Sequence, residues 1–242
     1  MNTVAHKRSM KTLLIAGVAI AAVGISAVGY YLLSPNGYLS LDVNPSIEIR
    51  TNRLERVTSV AGANEDGKAL LEGYRLTDRD LDDVIEDLVD RMVLQGYLKN
   101  DTDNDVLVTV DDDTVSPETL ERVNRTIETY VSQRELEANV MSQTVDVNDE
   151  LLAEAAKYHV SAGKMTVIDR LAAGDASLTP GELADTRVSD LIAYAAEKNI
   201  SLDLLEERLD DLEDQYEDDR YLERLEDKLD DADDMDLSLI HI

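Results

Sequence analysis

At 242 residues and 43% hydrophobic content, the chain is long enough for one folded domain with accessory elements and apolar enough for an ordinary core. A formal net charge of -29 argues against nucleic acid as a partner, because phosphate contacts need clustered Lys and Arg, and none occur beyond the extreme N-terminus. The lack of cysteine excludes disulfides, thiolate metal sites and cysteine nucleophiles, and without Phe or Trp the core must be filled by Leu, Ile, Val and Tyr.

Residues 12–33, TLLIAGVAIAAVGISAVGYYLL, carry no charge. About 22 residues at a rise of ~1.5 Å each cross a hydrocarbon layer of about 30 Å, so the run predicts a transmembrane helix. His6, Lys7, Arg8 and Lys11 precede it and the next basic residue is Arg50. The positive-inside rule therefore predicts a single-pass protein in the cell membrane, with residues 1–11 as a short cytoplasmic tail and the remainder extracytoplasmic. Tyr30 and Tyr31 fall where an interfacial aromatic belt is expected, and the run exceeds the about 7–15 apolar residues of a cleavable signal peptide.

Residues 34–37, Ser-Pro-Asn-Gly, read as a linker, and residues 38–199 as the extracytoplasmic domain. Leu39, Leu41, Val43, Ile47 and Ile49 keep a period of two, which predicts one half-buried strand. Arg56 to Ala63 reads as its hairpin partner, with Thr51 to Glu55 as the connection. Thr77, with Asp80 three residues on, predicts a capped helix through Leu81, Val84, Ile85, Leu88 and Met92 toward Gly96. Val106, Val108 and Val110 mark a third strand, Ser116 and Pro117 start a helix to about Glu137, and Val140 to Val147 marks a fourth strand. Asn148, Thr179 and Ser189 are the expected caps of shorter helices. The predicted fold class is thus mixed α/β (α+β), with about four mostly antiparallel strands and packed helices. Residues 200–236 predict an acidic amphipathic helix or stalk, since 201–236 holds 18 Asp and Glu against 4 Lys and Arg around a Leu stripe from Leu205 to Leu229. Residues 237–242 match nothing before them and are expected to be a non-native tail, the natural chain continuing beyond.

Asp42-Val43-Asn44-Pro45-Ser46 carries the most information. Pro45 removes a ladder donor inside an otherwise regular strand pattern, so the position predicts either a bulge that re-aims the strand or a special function. The run YLSLDVNPSIEIRTNRLERVTSVAGANEDGKALL, residues 38–71, resembles the extracytoplasmic middle domain of RsgI-type anti-sigma factors of Gram-positive bacteria. Residues 155–169, AAKYHVSAGKMTVID, with Leu183 to Leu191, are similar to the later part of the same domain. The resemblance implies a single-pass signalling protein whose outer domain cleaves its own Asn-Pro bond, the halves staying paired until a signal separates them and an intramembrane protease acts. Carried to this sequence, the scissile bond is Asn44–Pro45. The Asn44 side-chain amide would attack its own carbonyl carbon, closing a succinimide and expelling the Pro45 nitrogen, with Asp42 and Ser46 as the expected helpers in proton transfer or hydrogen bonding. This would be a single-turnover autoproteolysis.

The family also implies a compact sigma-binding domain in the cytoplasm. Met1 to Lys11 is too short for one, so that part is expected on a separate chain, to be missing, or to lie upstream of Met1. The alternative is a non-cleaving structural or adhesion module at the cell envelope. No conventional enzyme, cofactor or metal centre is expected. Asp101 to Asp105 begins like a calcium loop, but Val106 replaces the required Gly. His159 has no second interior histidine, and Lys164 in Ser-Ala-Gly-Lys lacks the remaining phosphate-loop residues.

Overall fold

The computed structural model describes residues 26–77, 79–100 and 104–206. The chain divides into two units between Leu205 and Glu206, so the fold described is that of the first. Residues 12–25 of the expected membrane span, the acidic segment from 207 onward and the terminal six residues lie outside the described residues. Residues 26–33 are helical (α1), and among the described residues no helix is long and apolar enough to cross a membrane.

The elements that follow are β1 (Pro35–Asp42), β2 (Ser46–Asn52), β3 (Val57–Gly62), α2 (Glu65–Leu70), α3 (Leu81–Leu94), β4 (Asp105–Asp111), α4 (Pro117–Ser132), β5 (Asn139–Val145), α5 (Asp149–Tyr158), α6 (Ala162–Gly174), α7 (Pro180–Leu183), α8 (Val188–Lys198) and the two-residue β6 (Leu205–Glu206). They form one sheet in the order β3-β2-β1-β4-β5-β6. The pairs β1–β2, β2–β3 and β1–β4 are antiparallel, whereas β5 runs parallel to β4. The parallel pair follows from its connection, because α4 lies between the two strands and parallel neighbours need a crossover of this length.

The expected single strand from Tyr38 to Ile49 is two strands, which raises the four expected strands to five, and the two-residue β6 makes the sixth. The reason is parity. Leu41 pairs with Ile47 and Leu39 with Ile49 across β1–β2, and the turn between them, Val43-Asn44-Pro45, has an odd number of residues. Odd positions therefore share a face on both sides of the reversal, and a period of two passes through the turn unbroken. Pro45 is a loop residue with no ladder place to disrupt, and Val43 N–H closes the loop on the Pro45 carbonyl at 3.2 Å.

The half-buried expectation also fails for β1, because helices cover both faces of the sheet at β1 and β4. Leu39, Leu41, Ile47, Ile49, Val106, Val108 and Val110 pack against the stripe of α3 (Val84, Ile85, Leu88, Met92) and that of α4 (Val123, Ile127, Val131). Leu107 packs on the other face with Met165, Ile168 and Leu171 of α6 and Leu191 of α8. Strands buried on both faces lose the apolar–polar alternation that marks a solvated sheet.

Two helix starts differ from the expected ones. Asp80, not Thr77, caps α3, its side chain accepting from Asp82 N–H at 3.3 Å, and α8 starts at Val188, ahead of Ser189. Helix α4 stops at Ser132, and Glu135 just beyond it adopts a left-handed φ of 56°. Ser116 and Asn148 cap α4 and α5 as expected, accepting from Thr119 and Leu151 N–H. Thr179 precedes α7, but its side chain caps no N–H and instead donates to Glu182 at 2.6 Å. Helix α2 was not expected at all. The exposed end of α1 is fixed to the β2–β3 turn: Arg53 lies 3.9 Å over the Tyr31 ring and donates to the Tyr31 carbonyl at 2.8 Å.

Candidate functional site

The β1–β2 turn sits beside α2, and local sequence explains how closely. Asn64 caps α2 with its side-chain oxygen, accepting from Gly67 N–H at 2.7 Å, as an Asx residue before an acidic first turn should. The same oxygen accepts from Ser46 N–H at 3.0 Å, and Ala63 N–H donates to the Ser46 carbonyl at 2.8 Å. Gly67 permits the approach, because a Cβ there would lie 2.4 Å from the Ser46 carbonyl oxygen.

This packing grips Asn44 at both ends. Its side-chain nitrogen donates to Asp66 Oδ2 at 3.0 Å, and its backbone carbonyl accepts from Asn64 Nδ2 at 2.8 Å. The Tyr97 hydroxyl donates to the other Asp66 oxygen at 3.3 Å, which fixes the carboxylate from the far side. Burial, then the Asp66 charge, pushes the Tyr97 phenol above its ordinary value, so it remains a donor. Asn44, Asn64 and Asp66 are half-buried, whereas Pro45 is buried.

The Asp42 carboxylate has other partners, and Ser46 meets α2 through its backbone. The two residues form the last cross-strand pair before the turn. The Asp42 carboxylate, fully buried, accepts from Ser40 at 2.9 Å and lies 2.7 Å from Ser161 Oγ at both oxygens. Burial pushes its carboxyl above the ordinary range, opposed by hydrogen bonds from Ser46, Ser161 and Ser40 and by the charge of Lys164. Asp42 therefore joins the turn to α6, and no hydrogen bond ties it to Asn44. Lys164 is buried in α6 with its ammonium donating to the Ala184 carbonyl at 2.7 Å. Burial pushes it below its ordinary value, opposed by Asp42, Asp185 and Asp66. Sequence reasoning missed Asn64 and Asp66 as partners of Asn44, although an Asx cap followed by two acids was visible.

Among the described residues, the other candidates have local structural partners. Asn104, from the calcium-loop reading, turns inward to Lys99 and the Glu137 carbonyl, Asp105 opens β4, and residues 101–103 lie outside the described residues. His159 ends α5 in a left-handed conformation, as a helix-end residue. Asp111, Asp112 and Asp146 lie close enough to share an ion, and the two Asp111 oxygens also accept from Val147 N–H and the Thr114 hydroxyl.

The family described as anti-sigma factor RsgI-like central domain matches residues 36–170, more than half of the chain and all of the turn, α2 and α6 up to Arg170. This chain belongs to that family. Among curated proteins it is similar to anti-sigma-I factor RsgI7 of Acetivibrio thermocellus, 31% identical over 188 residues, covering 75% of this chain and 34% of that protein. It is also similar to RsgI6 of the same organism, 21% identical over 81% of this chain and 28% of that protein. A third relative is the anti-sigma-I factor RsgI of Bacillus anthracis, 24% identical over 48% of this chain and 26% of that protein. The chain thus spans about a third or less of the curated relatives' length. In this RsgI-like domain, the Asn44–Pro45 turn and its clamp on α2 lie wholly within the matched region.

Proposed function

We propose that this chain is the membrane-anchored, extracytoplasmic part of an anti-sigma-factor signalling system, and that its domain cuts its own Asn44–Pro45 bond as a step in regulated proteolysis. The observation that carries the reading is the clamp on Asn44: a carboxylate on the amide nitrogen that would attack and an amide donor on the carbonyl it would attack. Asn-Pro suits this route because Pro45 has no N–H, so the competing attack of a backbone nitrogen on the Asn44 side chain cannot occur. Anchoring rests on the uncharged run 12–33 and on α1, where Val28, Tyr30, Tyr31 and Leu33 are exposed. The partners inferred are the lipid bilayer, an intramembrane protease acting after fragment separation, and a sigma factor reached through cytoplasmic sequence outside the domain described.

Intact mass of the full chain, purified in detergent and denatured before injection, tests the cleavage. Two fragments meeting between Asn44 and Pro45 are expected, together with their loss in Asn44→Ala. A single full-length mass from a cooperatively folding sample overturns self-cleavage and leaves a non-cleaving envelope module.

A further inference from the structure

We propose that Asp66 is the base that takes the proton from Asn44 Nδ2 and that Asn64 Nδ2 stabilises the oxyanion on the Asn44 carbonyl, with Tyr97 positioning Asp66. The inference rests on the self-cleavage reading and assigns its catalytic residues. It replaces the pair suggested by the sequence, since Asp42 is spent on Ser40 and Ser161 while Asp66 is 3.0 Å from the nucleophilic nitrogen.

A carboxamide nitrogen is a poor nucleophile until it loses a proton, so a base in contact with it accelerates attack. The developing negative charge lands on the carbonyl oxygen that Asn64 already holds at 2.8 Å. The bonds balance without a co-reactant. Asn44 Nδ2 gives a proton to Asp66 and bonds to the Asn44 carbonyl carbon. The tetrahedral oxyanion then collapses, the bond to Pro45 nitrogen breaks, and the proton held by Asp66 passes to that nitrogen, which leaves as a secondary amine. The products are a fragment ending in a succinimide at residue 44 and a fragment beginning at Pro45, and water enters only when the ring opens.

Asn64 also has a structural duty, because its side-chain oxygen caps α2 and holds Ser46 N–H. Asn64→Asp separates the two roles: it keeps the acceptor, and Asp caps helices as well as Asn does, but it loses the donor to Asn44. Asp66→Asn removes the base with little change of shape, and Asp66→Glu restores it.

The test is full-length chain made by cell-free translation with detergent, followed by gel and intact mass over time, with thermal melts of each variant. The expected result is cleavage of wild type, slowing by about 100-fold or more in both Asn64→Asp and Asp66→Asn with melting retained, and partial recovery in Asp66→Glu. The early N-terminal fragment is expected to be lighter than the hydrolysis product by one water. Wild-type cleavage with both variants within a few-fold of it overturns the assignment alone, and slowing in only one overturns the other residue's role. A variant that loses its melting transition is replaced by Tyr97→Phe, where slowing supports Asp66 as base and an unchanged rate counts against it. An uncut wild type overturns the cleavage reading itself.

Discussion

Asn64 Nδ2 reaches the Asn44 carbonyl oxygen at 2.8 Å although the two residues are 20 positions apart, and the same side chain caps α2. One residue thereby sets the helix start and the position of the turn, so displacement of α2 must displace the clamp. Gly67→Ala is the direct probe, since its Cβ would meet the Ser46 carbonyl at 2.4 Å and backbone would have to yield. Overpacking of this kind costs about 1–3 kcal/mol. Urea unfolding is expected to lose that much, with self-cleavage slowed; an unchanged midpoint would mean that α2 can shift freely.

The second anchor of the turn runs through α6. Ser161 caps that helix by accepting from Lys164 N–H at 3.0 Å and also meets both Asp42 oxygens at 2.7 Å. Gly163 lets α6 settle on the sheet, because a Cβ there would lie 2.1 Å from Thr109 Oγ1. Ser161→Ala removes a cap and leaves a buried carboxylate short of a donor. Together these cost about 2–4 kcal/mol, read as a lower urea midpoint with unchanged slope.

Asp42 gives the turn a pH dependence. Its folded carboxyl sits above the ordinary range because burial outweighs Ser46, Ser161, Ser40 and Lys164. The folded state then binds this proton more tightly than the unfolded chain. The contribution is full below about pH 4 and is lost as pH rises through the raised folded value. Asp42→Asn cannot titrate, so the stability of wild type relative to this variant is expected to fall as pH rises above about 4. Urea midpoints of both proteins across that range check it, and a pH-independent gap would contradict it.

Much of this was legible in the sequence, and the failures have physical causes. The stripe of α3 and the caps at Ser116 and Asn148 could be read because helical period and capping are local. The hairpin could not, because an odd-length turn preserves parity between Leu41 and Ile47. Nor could the partners of Asn44 be assigned, since Asp42 is adjacent in sequence whereas Asp66 arrives only through the packing of α2 on the turn. Nor does the sequence around Lys164 show its burial, because its contact with the Ala184 carbonyl depends on α7 folding back on α6.

The placement of β1 decides what a cut at Asn44–Pro45 would do. β1 lies between β2 and β4 and is hydrogen-bonded to both, with Tyr38, Leu39 and Leu41 buried. The cut would leave this strand on the N-terminal fragment and its two neighbours on the other. Burial of each large apolar side chain is worth about 1.5–3 kcal/mol, and the ladder bonds and the Asp42–Ser161 contact add to it, so the fragments are held almost as firmly as the sheet itself. Cleaved protein is expected to elute as one species in native gel filtration and to separate only in denaturant. Leu41→Ala, at a position with no exposed surface, is expected to cost about 2–5 kcal/mol and to release the N-terminal fragment at lower urea. Spontaneous separation of wild-type fragments in native buffer would show that β1 is not what holds them.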